Sequence, residues 1–522
     1  MSRRAIPAVL LVLIGLIGMV VVGRDATERE TPFFAATGGT WMPAVGASGS
    51  LTGSWFCPGV PTSGEGVGGS VVVSNRDAAQ VVGRYMVLTE EGVVADESFT
   101  VGSWTQTTID VDALTSAPFA SVVVEIEGGG ALVEQRAEHP LGDSVAACSN
   151  DTSDTWYVAD GYTLGDSVET LILTNPFDEP VVASLRFSTE AREAQPGQFG
   201  GFTVPPRSVR TIRIAELGAR DEPIIAVAVE TTAGRLVVGR AQEYNGGGRF
   251  GYDISLAAPA LRDQWWFADG ERSEGVTETY SIYNPTDEEV EVTVFFGGLP
   301  LEASAVNEGD PIVVPPLRAV IFDPTENRSG DVVDGGAGEG DDAPDDSEAA
   351  VDGEAEGDGE FPELQQASTD LPEGRHATVF STLAQPSIVV ERVLTRPADG
   401  SISTSVVLGA PPRPDGFVPN TWHMGIGPTE PTEDALIVYN IDQVEAAITV
   451  SVVGPDGPSA VPSLTDVPLP SGSIITVDLV DPALIGREII VVSSSRVFIE
   501  RSLPRGNDLP GRSGSWLLPQ SG

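Results

Sequence analysis

The sequence predicts an all-β protein built from tandem immunoglobulin-like β-sandwich repeats that follow an N-terminal transmembrane helix. Three observations support this prediction. The chain has 522 residues, enough for several domains, and its 59 Gly and 40 Pro favour many turns. An uncharged apolar stretch stands near the N-terminus. One pattern of tryptophan, asparagine and arginine recurs four times along the rest of the chain.

The N-terminus has the pattern of a membrane anchor. Arg3 and Arg4 precede an uncharged stretch of 18 residues from Ile6 to Gly23, which is just long enough for a membrane-spanning helix. Because the arginines stay on the cytoplasmic side, everything after Arg24 should lie outside the cytoplasmic membrane. We therefore predict a cytoplasmic tip and single-pass signal-anchor over 1–24 and a linker over 25–50. Cleavage after Gly23 would instead give a secreted protein.

Four diverged repeats make up the remainder, with predicted bounds 51–152, 153–262, 263–418 and 419–522. Each repeat opens on a tryptophan, continues into an apolar strand that ends in asparagine 18 to 20 residues later, and closes on a strand that carries an arginine. These framework residues are Trp55, Trp156, Trp266 and Trp422, then Asn75, Asn175, Asn284 and Asn440, and finally Arg136, Arg240, Arg392 and Arg501. About seven short strands in roughly 100 residues match an immunoglobulin-like sandwich. A β-propeller with two blades per repeat, or another closed β-architecture, is the alternative.

The third repeat is longer than the others because of an acidic insertion over 327–362. The stretch from 329 to 360 contains 13 acidic residues and no basic residue. Such a segment cannot bury enough apolar surface to offset the entropy lost on ordering. We predict that it is disordered.

Cys57 and Cys148 are the two cysteines of the chain. In an exported protein such a pair predicts a structural disulfide. Their wide separation also lacks the paired ligand spacing of a zinc site.

The recurring residues are expected to have structural roles. The asparagines should satisfy backbone groups of turns, the tryptophans should pack in the cores, and the arginines should bond to the hairpin that ends in asparagine. Glu391 and Arg392 are neighbours on one strand, so they should face opposite sides and cannot pair with each other. Trp265 stands outside the shared pattern, and we predict that it is a ligand-exposed aromatic residue.

Composition and motifs argue against several functions. A net charge of −47 repels nucleic acid, which is therefore not expected as a partner. His139, His376 and His423 belong to no recognisable catalytic or metal motif. Two Gly-x-Gly-x-x-Gly matches lead into strands, whereas a phosphate site needs a helix N-terminus. We expect a non-enzymatic protein without cofactor or metal.

The segments WYVADG, LILTNP, EPVVASLRF and LVVGRA, followed by WWFADG, carry a family resemblance. The chain resembles an uncharacterised actinobacterial family of membrane-anchored extracytoplasmic proteins, classed as a domain of unknown function. The resemblance implies a location in the bacterial envelope and assigns no catalytic residue. The fourth repeat departs from the pattern, since Ile441 replaces the proline after its asparagine.

The leading functional hypothesis is a membrane-anchored, non-enzymatic envelope protein whose repeats bind or scaffold other components. Its expected partners are the cytoplasmic membrane, through the N-terminal helix, and envelope glycans or envelope proteins. The first alternative is a carbohydrate-binding module for envelope polysaccharide that uses Trp265. The second alternative is an envelope hydrolase with an unrecognised site.

Overall fold

A computed structural model describes residues 42–46, 52–128, 130–298, 311–324, 371–382, 386–412 and 418–521. This part of the chain is almost entirely antiparallel β-structure, as predicted, with short 3-10 turns at Gly197–Phe199, Ile214–Leu217, Pro462–Leu464 and Pro482–Leu484. Among the described residues no helix has the length and apolarity needed to cross a membrane. The predicted anchor over 1–24 and the predicted insertion over 327–362 lie outside the described residues.

Each repeat is a sandwich of two sheets, which confirms the predicted architecture. We call the sheet that begins with the tryptophan strand the Trp sheet, and the sheet that contains the asparagine strand the Asn sheet. The strands of the first repeat are β1 (Thr52–Pro61), β2 (Gly68–Asn75), β3 (Val81–Thr89), β4 (Gly92–Val101), β5 (Gln106–Asp110), β6 (Phe119–Glu127), β7 (Ala131–Glu138) and β8 (Ser144–Ala147). Its Trp sheet has the order β1-β6-β3-β4, and its Asn sheet has the order β5-β2-β7-β8.

The second repeat keeps this plan, with the Trp sheet β9-β15-β11-β12 and the Asn sheet β14-β10-β16-β17. Its strands are β9 (Thr155–Gly161), β10 (Val168–Asn175), β11 (Val181–Ser188), β12 (Glu193–Ala194), β13 (Phe202–Val204), β14 (Ser208–Arg213), β15 (Ile225–Ala233), β16 (Val237–Gly246) and β17 (Arg249–Leu256). In an immunoglobulin domain the first strand lies beside the second. Here β1 pairs with β6, and β9 pairs with β15.

The third repeat has the Trp sheet β18-β23-β20-β21 and the Asn sheet β22-β19-β24-β25. Its strands are β18 (Gln264–Arg272), β19 (Thr277–Asn284), β20 (Val290–Gly297), β21 (Ile312–Val314), β22 (Arg318–Phe322), β23 (Gly374–Ser381), β24 (Val389–Ala398) and β25 (Ser401–Leu408).

The fourth repeat has the Trp sheet β29-β28-β32-β26-β35 and the Asn sheet β31-β27-β33-β34. Its strands are β26 (Thr421–Met424), β27 (Thr432–Asn440), β28 (Ala446–Gly454), β29 (Gly457–Ala460), β30 (Val467–Leu469), β31 (Ile474–Leu479), β32 (Ile489–Ser493), β33 (Val497–Pro504), β34 (Arg512–Trp516) and β35 (Leu518–Pro519).

The four sandwiches close into a ring. The last strand of each Asn sheet contacts that of the next repeat, so β8 meets β17, β17 meets β25, β25 meets β34, and β34 returns to β8. In the first three repeats the Trp sheet faces the following Asn sheet, because β1 contacts β10 and β16, β9 contacts β19 and β24, and β18 contacts β27 and β33. The predicted sandwich therefore describes each repeat, and the four sandwiches together are arranged in a ring.

Residues 42–46 close the ring at its ends. The Val45 amide donates to the Pro519 carbonyl at 2.9 Å, and the Ser521 amide donates to the Val45 carbonyl at 2.8 Å. The Ala44 amide donates to the Asn150 side chain at 2.7 Å. This segment, predicted as part of the linker over 25–50, joins the last repeat to the first.

Polar side chains fill the centre of the ring. Ser144, Asp253, Ser405 and Ser513 occupy equivalent positions on the four closing strands, and all four are buried. The Ile254 amide donates to Ser144 Oγ at 3.1 Å, and the Val406 amide donates to Asp253 Oδ2 at 3.3 Å. Each of these bonds joins one repeat to the next, so the closing strands are tied to one another around the centre.

Candidate functional site at the repeat junctions and the connector cavity

Strand pairing identifies the equivalent tryptophans. The indole N–H groups of Trp156 and Trp265 donate to the carbonyls of Leu236 and Ile388, at 3.1 and 2.9 Å. Trp265 is only 2% exposed. The prediction that Trp265 is an exposed aromatic residue is therefore wrong, because this residue, and not Trp266, takes the buried framework position of the third repeat.

Trp266 points out of its own sandwich towards the next repeat. Its ring stacks on Phe498 of the fourth repeat, with ring centroids 5.1 Å apart. Tyr157 and Phe56 hold the same position in the second and first repeats, as their bridges to Ala258 and Ser149 show. Each packs into the hydrophobic cluster of the following repeat. Trp55 and Trp422 are buried in framework positions, at 3% and 0% exposure.

The four asparagines lie at one equivalent turn and are fully buried. In the second repeat, Asn175 Nδ2 donates to the carbonyls of Glu179 and Pro205, at 2.8 and 2.9 Å, while its Oδ1 accepts from the Phe177 amide at 3.0 Å. Asn75, Asn284 and Asn440 make the corresponding bonds. Each side chain thus links the end of its strand to two segments of the same sandwich.

The predicted framework arginine of the first repeat, Arg136, does not lie at the shared position. Asn75 pairs with Ala131, and Asn440 pairs with Val497, which makes Gln135 the equivalent of Arg501. Arg136 is one residue further along, keeps 25% side-chain exposure and binds Asp143 at 2.6 Å. The first repeat therefore has glutamine at the position where the other three repeats have a buried arginine.

These three arginines join successive repeats. Arg240 lies 3.0 Å from Glu391 of the third repeat, Arg392 binds Glu500 of the fourth at 2.6 Å, and Arg501 binds Glu134 of the first at 2.7 Å. All six side chains are at most 1% exposed. The expectation that the arginines bond to the asparagine hairpin is therefore wrong. Glu391 and Arg392 do face different partners, because adjacent strand residues point to opposite faces.

The glutamates also bind the backbone of the preceding repeat, in the tryptophan strand or just after it. Glu391 accepts from the amides of Ala159 and Asp160, at 3.0 and 2.6 Å. Glu500 accepts from Ala268 and Asp269, at 2.7 and 3.2 Å, and Glu134 accepts from Ile426 at 2.7 Å. Each carboxylate is therefore both paired and hydrogen-bonded, the condition under which a buried charge is tolerated.

The junction between the first and second repeats lacks both halves of this pair. Gln135 stands in place of the arginine, and Gly239 stands in place of the glutamate. A Cβ atom on Gly239 would lie 2.8 Å from the Pro58 carbonyl oxygen, so the two repeats approach too closely there for a longer side chain. The first repeat contains the predicted disulfide, which is confirmed: Cys57 and Cys148 are bonded and buried.

The three histidines pack against neighbouring side chains or are buried. His376 Nε2 lies 3.2 Å from Glu278 Oε2, and both side chains are fully buried. His139 stacks on Tyr252 with ring centroids 4.0 Å apart, and burial lowers its pKa to about 4. His423 is fully buried as well.

A cavity of about 820 Å³ lies where the segments that connect the repeats meet, and we call it the connector cavity. It is lined by the connectors around Ser149–Trp156 and Leu256–Trp265, by residues 408, 409 and 411, and by both ends of the described chain, Met42 and Ser521. Trp55, Trp156 and Trp265 all contribute to its wall. Its charged lining residues are Asp151, Asp154, Arg235 and Arg262.

The charged residues of the cavity wall differ in whether they have a hydrogen-bond or ion-pair partner. Asp151 accepts from the Thr152 amide at 2.7 Å and lies 3.8 Å from Arg235. Arg262 is half-buried, and no ion pair or side-chain hydrogen bond joins its guanidinium to any residue that the structure describes. Burial lowers its pKa, although the charge of Asp263 acts in the opposite direction. The sequence could not single out Arg262, because nothing in the local pattern indicates that three connectors converge.

Comparison with known proteins gives a family match for one part of the chain. Residues 138–258, which span the end of the first repeat and the second repeat, match a family of unknown function, DUF5719. No curated protein matches the chain. Among solved structures, the crystal structure of Thermotoga maritima 1070 is 17% identical and covers 20% of this chain and 94% of its own, with a TM-score of 0.19.

Proposed function

We propose that this protein is a non-enzymatic, membrane-tethered extracytoplasmic protein whose closed ring binds a component of the cell envelope in the connector cavity. The observation that carries the proposal is the cavity itself, because its wall combines residues from the first three repeats with both ends of the described chain. Concave sites between domains are the usual places for ligands. A cavity built in this way exists only when the ring is closed.

Features of the sequence and structure support the location. The apolar stretch from Ile6 to Gly23 has the length of a membrane span, and the arginines before it favour export of the remainder. The buried disulfide fits an oxidising compartment. Resemblance to membrane-anchored actinobacterial proteins points to the same place. Protease treatment of intact spheroplasts should degrade the body while a cytoplasmic control protein survives, and a protected body would contradict the location.

Blocking the cavity tests the binding function. Ala260 lines the cavity, so Ala260→Trp should fill part of it, whereas Val444→Trp places the same side chain on a turn where Val444 is 60% exposed. The exported part should be retained on immobilised envelope material, either glycan or protein, and A260W should lose this retention while V444W keeps it. Equal retention of both variants would overturn the proposal. Turnover of an envelope substrate that one point mutation abolishes would overturn its non-enzymatic part.

A further inference from the structure

We infer that the ligand of the connector cavity carries a carboxylate and that Arg262 binds this group. This inference rests on the proposed function and specifies the chemistry of its ligand. It is carried by an arginine whose backbone is fixed, which is half-buried and which forms no ion pair or side-chain hydrogen bond with the described residues, in the wall of a cavity of ligand size.

The backbone of Arg262 is held rigidly. Its amide donates to the Ile388 carbonyl at 3.1 Å, and its carbonyl accepts from the Ser387 and Ile388 amides at 3.2 and 3.3 Å. These bonds attach the residue to the core of the third repeat, so the guanidinium extends from a fixed Cα. A positioned guanidinium is well suited to hold a carboxylate through two parallel hydrogen bonds.

Arg262 lies in the connector that leads into the third repeat, and no other repeat has a cation at this position. The positions three residues before the framework tryptophans hold Thr52, Ser153 and Pro419 in the other repeats. Ser153, which forms the equivalent bridge, uses its hydroxyl to bond to the Pro259 carbonyl at 2.9 Å. A residue needed only for the shared framework would be expected to recur, as the asparagines do. The cation at this position is therefore better explained by a site than by the fold.

Two of the other three charged residues in the wall lie next to each other. Arg235 lies next to Asp151, and Asp151 is also held by the Thr152 amide, so this pair is partly neutralised. Arg262 is half-buried and forms no ion pair with the described residues, although the charge of Asp263 acts on it. An unpaired charge in a partly desolvated site gains more from a ligand carboxylate than an exposed one does.

The rest of the wall defines the body of the ligand. Met42, Pro259 and Ala260 supply accessible apolar surface next to the charged groups, and the buried Trp156 and Trp265 lie behind it. A cavity of about 820 Å³ falls within the range of about 300 to 1,000 Å³ that small-molecule sites occupy. A sugar acid and the C-terminus of a short peptide both combine a carboxylate with a body of this size.

Direct binding measurements test the inference and separate the two sources. The probes are a glucuronate-containing disaccharide with its methyl ester, and an acetylated tripeptide with a free C-terminus with its amide. Titration calorimetry on the exported chain should show one acid binding about tenfold tighter than its neutral counterpart, because only the acid forms charge-assisted bonds. The acid that binds identifies the source of the carboxylate.

Variants assign the effect to Arg262. Arg262→Gln should reduce acid binding about tenfold, while R262K should retain part of it and thereby exclude a folding defect. Arg213→Gln, at an exposed position outside the cavity, should bind as the wild type does. Absence of acid binding at millimolar concentration, equal binding of acid and neutral probes, or wild-type binding by R262Q would overturn the inference. If the inference is overturned but A260W still abolishes retention on envelope material, the proposed function stands and its ligand is uncharged.

Discussion

At the scale of single residues, the charges that hold the ring together are buried and paired. Arg501 and Glu134 join the last repeat to the first and are both fully buried. Removing one member of such a pair leaves an uncompensated charge, whereas removing both is far less costly. The pair therefore makes the closing junction sensitive to single substitutions.

The buried pair predicts the outcome of a double-mutant cycle. Arg501→Met should lower the free energy of unfolding by about 3 to 5 kcal/mol, and adding Glu134→Gln should recover much of the loss. Arg84→Met, at an exposed pair with Asp96, should cost only about 1 kcal/mol. Chemical denaturation of the wild type, R501M, E134Q, the double variant and R84M provides the measurement. A loss in R501M no larger than that in R84M would contradict the prediction.

Glu169 predicts a dependence of stability on pH. It is fully buried, both its carboxylate oxygens lack a hydrogen bond within the described residues, and burial raises its pKa from 4.5 to about 8. The pKa of Glu169 is higher in the folded than in the unfolded protein. Its contribution to stability is therefore fully present below about pH 4.5 and is lost as the pH rises through 8. Glu169→Gln should therefore raise the denaturation midpoint at pH 9 and leave it almost unchanged at pH 5.

Glu278 provides the matched control for this measurement. It holds the equivalent position six residues before the asparagine, but His376 lies 3.2 Å away. Burial raises the pKa of Glu278, but His376 and other neighbours together lower it by more, so the net shift is downward. Glu278→Gln should therefore destabilise the protein near neutral pH. Equal effects of the two substitutions at pH 9 would refute the assignment.

At the scale of strands and sheets, the sequence predicts composition better than register. The β-branched strands, the asparagine turns and the disulfide could all be predicted, because local turn chemistry and residue type determine them. The predicted framework residues Trp266 and Arg136 are each displaced by one position from the residue that takes the shared place. A shift of one residue moves a side chain to the other face of the sheet. Only strand pairing, which joins residues distant in sequence, could show that Trp265 and Gln135 occupy the shared positions.

The closest approach between two sheets predicts an effect at Gly239. A Cβ atom there would lie 2.8 Å from Pro58 of the first repeat, while one on Gly197 would meet no atom within 4 Å. Gly239→Ala should lower the free energy of unfolding by about 1 to 3 kcal/mol through overpacking, and Gly197→Ala should be neutral or slightly stabilising. Thermal unfolding of both variants checks this. A harmless G239A would indicate that the first two sandwiches are not packed together.

At the scale of the whole molecule, the proposed binding function requires closure of the ring. The connector cavity takes its wall from both ends of the described chain, and the junction of the first and fourth repeats supplies the Arg501–Glu134 pair. Closure and Arg262 could not be predicted from sequence. The hydrogen bonds that join the last repeat to the first link residues 292 and 367 positions apart, and such contacts leave no local periodicity.

Spin-label distances between the first and fourth repeats test closure most directly. Ala78 and Asp456 are exposed, and the segments that bear them are linked through Trp104, which donates its amide to Asp77 and would lie 3.4 Å from a Cβ on Gly457. Both native cysteines are in the disulfide, so cysteines introduced at 78 and 456 can be labelled selectively. A closed ring predicts a single distance within about 30 Å, roughly the length of one strand. A distance above about 50 Å, as expected when two sandwiches separate the labels in a linear array, would contradict it.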